Sequence, residues 1–144
     1  MILDGNTYPI PLGTYRRTID AEFRMTVPGI WRDEPLFESD LGYLSFRRPF
    51  RLVLLPHGFV NKILRGKRKG VGEREKEDIR MLLAALHTIT LDRRGRMTIP
   101  EVLATILGIG PGDIMVLTAT GGWVEVWPGE EWERSRGEKG LFTP

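Results

Sequence analysis

The chain repeats itself. The segment TIDAEFRMTVP, Thr18 to Pro28, returns as TLDRRGRMTIP, Thr90 to Pro100, with six of eleven positions identical at an offset of 72 (90 minus 18). Two further pairs are conservative, Ile19 with Leu91 and Val27 with Ile99. The register persists downstream: RLVLLP at 51–56 falls opposite WVEVWP at 123–128, and Val60 meets Trp132. Agreement across two separated blocks predicts two homologous halves, 14–66 and 86–138, joined by a linker and helix over 67–85. Two repeats are too few for a solenoid and predict a pseudo-twofold pair burying one shared core.

Each half predicts the same elements. Tyr15 to Ile19 and Thr88 to Leu91 are rich in β-branched and aromatic residues and read as strands, each followed by a tight connection and a short second strand, Met25 to Val27 or Met97 to Ile99. Pro28 and Pro100 suit helix starts. Val102, Leu103, Ile106 and Leu107 predict one apolar helix face, stopped by Gly108. The first-half equivalent around Ile30 and Trp31 is less regular. A hairpin closes each half: Tyr43 to Phe46 with Phe50 to Leu55, and Asp113 to Ala119 with Trp123 to Trp127 across Gly121 and Gly122. Between the halves KILRGKRKGVG reads as a mobile basic linker, and Glu73 to His87 as an amphipathic helix on Ile79, Leu82, Leu83 and Leu86. The tail from Ser135 is expected to fray.

Composition excludes several function classes. Apolar residues make 41% and charged residues 28% of the 144, typical of a globular protein. There is no cysteine, hence no disulfide or thiol nucleophile, which suits a reducing cytoplasm. The N-terminus lacks the pattern of a signal peptide, and no apolar run reaches the roughly 18 residues of a membrane span. His57 and His87 have no metal-ligand spacing, Ser39, Ser45 and Ser135 lack a nucleophile context, and no Gly-rich phosphate loop is present. No enzyme, cofactor or small-molecule substrate is expected. The tryptophans, Trp31, Trp123, Trp127 and Trp132, are expected in core or subunit interfaces. The net charge of +2 is too small to argue for nucleic acid by itself, so the placement of the arginines matters.

The repeated chemistry is Asp-x-x-x-Arg between two short strands: Asp20 with Arg24, Asp92 with Arg96. Aspartate can accept hydrogen bonds from loop amides, and Gly95 permits a positive φ. The arginine would then project with its donors free for phosphate or a guanine edge. Arg16, Arg17, Arg24, Arg93, Arg94 and Arg96 stand around the loops against Asp20, Glu22 and Asp92, a local balance of +3 (six minus three). The residues alone leave two readings open: a DNA contact, or a salt bridge that only braces a hairpin. The run Lys62 to Lys69 likewise reads as a solvated linker or a second phosphate contact.

GTYRRTIDAEFRMTVP resembles the opening of the MraZ family, members of the SpoVT/AbrB group, through Gly13, Tyr15, Thr18, Ile19, Asp20, Arg24, Val27 and Pro28. The second half is similar to that family's second repeat through Asp92, Gly95, Arg96, Pro100, Gly108, Trp127 and Trp132. The resemblance implies an α+β, mainly β fold: a double swapped-hairpin β-barrel of two tandem repeats with short flanking helices. It also implies a ring-like homo-oligomer in the cytoplasm, associated with the nucleoid. Such a protein binds double-stranded DNA at short direct repeats in the promoter of the cell-division and cell-wall gene cluster. Arg24 and Arg96 would be the contacts. One departure stands out: the first loop reads Ala21-Glu22-Phe23 where the family has Lys-Gly before the arginine. Glu22 repels phosphate and Phe23 lacks glycine's freedom, so the first loop is not expected to contact DNA in the family's way, and Phe23 is left to pack on a sugar or a neighbouring chain. The competing classes are a structural interaction protein and an AbrB-like antitoxin.

Overall fold

The computed structural model describes residues 12–33, 36–66, 77, 80–81 and 83–139. It is mainly antiparallel sheet with short helices. The strands are β1 (Thr14–Thr18), β2 (Arg24–Thr26), β3 (Leu41–Arg47), β4 (Arg51–Leu55), β5 (His87–Thr90), β6 (Arg96–Thr98), β7 (Ile114–Ala119) and β8 (Val124–Pro128). The helices are α1 (His57–Gly66), α2 (Glu101–Leu107) and α3 (Gly129–Lys139), and Gly29–Trp31 forms a single 3-10 turn. No described helix is long and apolar enough to cross a membrane.

The strands pair across the repeat. A six-stranded sheet runs β1-β7-β8-β4-β3-β5, and β2 pairs with β6 in a separate ribbon. β1 thus finds its partner in the later hairpin and β5 finds its partner in the earlier one. Two pairings set a residue against its own counterpart 72 positions on: Met25 opposite Met97, and Val53 opposite Glu125. The uniform offset of 72 expected from the repeat does not hold throughout. Thr18 faces Ile114 while Thr90 faces Leu41, so the counterparts of β3 lie 73 on (114 minus 41). The shift is undone at the hairpins, where three residues separate Arg47 from its partner Arg51 but Gly121 and Gly122 form the tip beyond the Thr120–Trp123 hydrogen bond.

Alternation along the strands builds the core. Met25 and Met97 point inward from the ribbon and are fully buried, with Ile19, Val27, Leu91 and Ile99 beside them. Leu52 and Leu54 of β4 face this core, while Val53 and Leu55 face Val60 of α1 on the other side. β4 is therefore apolar on both faces because a helix covers the second. Trp31 is buried edge-on to Tyr15 at 5.1 Å, and its indole N–H donates to the Leu12 carbonyl.

Several expectations change. Leu103 and Ala104 of α2 turn inward and Leu107 packs against the core, whereas Val102 and Ile106 are exposed, so the four apolar residues do not share one face. Gly108 does cap α2, at φ 68, donating to the carbonyls of Ala104 and Thr105. Lys62 to Gly66 extend α1 instead of starting a linker. Residues 67–76 lie outside the described set, as do Ile79 and Leu82. Glu77, Arg80, Met81, Leu83 and Ala84 are helical, but His87 already belongs to β5. The segment from Ser135 to Lys139 continues α3. Trp127 is buried against Trp132 and under Arg51, as expected of core tryptophans, whereas Trp123 is exposed.

Met97 stands opposite Met25 at the centre of the ribbon and is fully buried. Met97→Ala should cost about 2–5 kcal/mol, read as a lower denaturation midpoint. A loss below 1 kcal/mol by this measure would place the shared core elsewhere.

Candidate nucleic-acid interface

The two Asp-x-x-x-Arg loops, joining β1 to β2 and β5 to β6, have one backbone design. Asp20 Oδ1 accepts from the amides of Glu22 and Arg24, both at 2.9 Å, and Asp92 Oδ1 accepts from Arg94 and Arg96 at the same distance. The Phe23 amide donates to the Asp20 carbonyl as that of Gly95 does to Asp92. Each aspartate thus satisfies donors that the turn would otherwise leave unpaired.

The fourth position of each loop is left-handed, with φ 76 at Gly95 and φ 62 at Phe23. Phenylalanine takes the strained conformation after all. The strain costs about 1–2 kcal/mol, and packing of the ring against the central core offsets it. Phe23 is thus partly buried against the chain's own core.

The loops lie side by side. The Val27 amide donates to the Gly95 carbonyl and the Ile99 amide to the Phe23 carbonyl, so each loop is closed by the strand following the other. Met25 and Met97 point inward, and the opposite face of the ribbon carries Arg24, Thr26, Arg96 and Thr98. Arg96 Nη1 stands 3.9 Å from Asp20 Oδ2 of the other loop.

The loop arginines do not project with all donors free, because carboxylates hold them. Arg24 Nε donates to Asp20 Oδ2 at 2.8 Å and Arg96 Nε to Asp92 Oδ2 at 2.7 Å. Arg24 also gives Nη2 to Glu22 at 2.9 Å. The side chains retain 29% and 25% of their exposure, enough to present an edge. Arg16 leaves the loops, bonding Glu133 of α3 at 2.8 Å. Arg17 donates to the Thr26 and Arg16 carbonyls and lies over Tyr15. Arg93 and Arg94 are exposed at the second tip, and neither side chain has a partner among the described residues. Arg32, which no local pattern signals, lays its guanidinium against Gly95 and donates Nε to the Val27 carbonyl at 2.7 Å. It lies 63 residues away (95 minus 32), so only the fold reveals it.

The Asp92 carboxyl is held below its usual value, foremost by the Arg96 amide and further by the Arg96 guanidinium and Arg94 amide, against partial desolvation. For Asp20 desolvation is the largest single effect and opposes ionisation, but the hydrogen bonds from Arg24 and Glu22 together outweigh it and hold the carboxyl low. Arg24 is raised, first by its bond to Asp20. No described group of histidine and carboxylate side chains could hold a metal.

This geometry accompanies a clear kinship. The family model described as "MraZ protein, putative antitoxin-like" matches residues 81–139. A protein of Bifidobacterium longum named transcriptional regulator MraZ is 31% identical over 134 residues, covering 91% of this chain and 85% of the relative. The chain belongs to the MraZ family. Another so-named MraZ relative, from Roseiflexus castenholzii, is 30% identical over 85% of this chain and 83% of its own, and one from Leuconostoc citreum is 24% identical. The family match on the second half takes in the complete second loop, with its glycine and its three arginines.

Both aspartates have lowered pKa values, so their contribution is complete above the ordinary 3.8 and is lost as pH falls through the lower folded value. The amide resonances of Arg94 and Arg96 should therefore titrate below pH 3.8, and Asp92→Asn should abolish that titration. A midpoint at or above 3.8 in the wild type would contradict the hydrogen-bonded carboxylate.

Proposed function

We propose that this protein is a sequence-specific, DNA-binding transcriptional regulator that meets double-stranded DNA on the side of its Asp-x-x-x-Arg loops, foremost through the second. The observation that carries the reading is the second loop: a tip held by Asp92 that exposes Arg93 and Arg94 without partners among the described residues, next to the partly exposed Arg96. A two-stranded ribbon fits the major groove, and an arginine whose Nε is held by an aspartate keeps its outer edge for a phosphate or a guanine. The relatives' printed name, transcriptional regulator MraZ, supports the same role.

In this proposal the halves 14–66 and 86–138, with the linker 67–85, form a double swapped-hairpin fold of the SpoVT/AbrB kind. The exchange of β1 and β5 between hairpins supports it. Copies of the chain assemble as a ring, which sets several loops along one duplex at short direct repeats in the promoter of the cell-division and cell-wall genes. Individually weak contacts then gain by multivalency. Among the exposed large apolar residues, Val102 and Ile106 both lie on α2, and this proposal assigns them to the assembly surface. Ile106→Glu should shift sedimentation toward smaller species, and an unchanged distribution would remove α2 from the interface.

Binding to a duplex from the gene's own upstream region should weaken steeply with salt. Replacing Arg93 and Arg94 together with glutamine should reduce the slope of log K against log salt by about 1.8, at roughly 0.9 per phosphate contact. An unaltered slope and affinity would refute the loop as the contact. No binding by the wild type at low salt would refute the regulator reading itself and leave an interaction protein.

A further inference from the structure

We propose that the phosphate-binding surface is a composite of the second loop and Arg32, and that Glu22 holds the first loop out of it. This rests on the DNA-binding reading above and narrows it to named groups. The duplication supplies an internal comparison. At the offset of 72, Arg32 corresponds to Ala104, Gly95 to Phe23, and Arg93-Arg94 to Ala21-Glu22.

Around the second loop, Gly95 has no side chain, and the Arg32 guanidinium occupies that space. A Cβ at Gly95 would collide with it. Its Nε is anchored on the Val27 carbonyl, and its two Nη groups have no partner among the described residues. An anchored guanidinium with free Nη groups has lost its rotamer freedom before a phosphate arrives, which favours binding. At the counterpart place the bulk is reversed: the Phe23 ring and the small Ala104 belong to one core cluster. The exchange removes a cation from one loop and keeps it at the other.

Charge follows the same division. The second loop gathers Arg32, Arg93, Arg94 and Arg96 against Asp92, and the first gathers Arg24 against Asp20 and Glu22. Arg24 already gives Nε to Asp20 and Nη2 to Glu22. A phosphate at the first loop would have to displace a carboxylate, whereas at the second it meets the Arg32 Nη groups and the Arg93 and Arg94 side chains, which have no partner among the described residues. Each chain therefore offers DNA one positive loop and not two equivalent ones.

The test is a salt titration of binding to the upstream duplex by the full chain and four variants, each checked by thermal melting. Arg32→Gln should lower the slope by about 0.9 and weaken binding about threefold, and Arg32→Lys should retain the wild-type slope. Arg24→Gln should leave affinity within about twofold, and Glu22→Gln should tighten binding about threefold. The proposal is overturned if Arg32→Gln binds like the wild type, if Arg32→Lys loses as much as Arg32→Gln, or if Arg24→Gln costs as much as either. Should Arg32→Gln fail to fold, Glu22→Gln decides, since unchanged affinity there contradicts the neutralising role. A wild type that binds no duplex instead defeats the DNA-binding reading as a whole.

Discussion

The structure depends on a reciprocal exchange of backbone hydrogen bonds between the β1–β4 and β5–β8 segments. The amide of Ile99 closes on Phe23 and that of Val27 on Gly95, while β1 adds to the β7–β8 hairpin and β5 to the β3–β4 hairpin. Neither β1 nor β5 pairs with the next hairpin along the chain, and the core residues Met25 and Met97 stand opposite each other. A buried strand edge without its partner would leave donors and acceptors unpaired, which costs more than any surface contact returns. The interlocking therefore fixes where the two loops stand, and it sets them side by side.

That fixed placement changes what the loop residues can do. An arginine on a mobile turn would lose side-chain entropy on meeting a phosphate, and surface ion pairs return little. Here the aspartate bonds both the turn's amides and the arginine's Nε, so the turn and the guanidinium are ordered together. The outer edge of the guanidinium is what remains for a ligand. Binding through such edges is modest at each loop and grows with the number of loops engaged, which is why the proposed assembly and the proposed DNA contact belong together.

The two loops share one backbone design and differ in what fills it. The first loop keeps the aspartate scaffold and accepts a strained phenylalanine because the ring adds to the core. The second has glycine at the same left-handed position, with the Arg32 guanidinium lying against it. Both solutions preserve the same backbone, one by apolar packing and one by giving a cation room. Stability and charge are thus distributed unequally over a nearly symmetric frame.

Much of this was legible in the residues. The repeat predicted paired elements, alternating β-branched residues predicted the strands, Gly108 predicted the end of α2, and Asp-x-x-x-Arg predicted the turns. These are local properties, set by side-chain periodicity and by which residues tolerate which dihedrals. What the sequence could not state is long-range. That β1 pairs with β7, that Val102 and Ile106 face outward, that Glu133 draws Arg16 away and that Arg32 rests on Gly95 all follow from how distant segments meet. Periodicity says which face of an element is apolar, but the partner of that face, and the acid beside a given arginine, are chosen when the whole chain closes on itself.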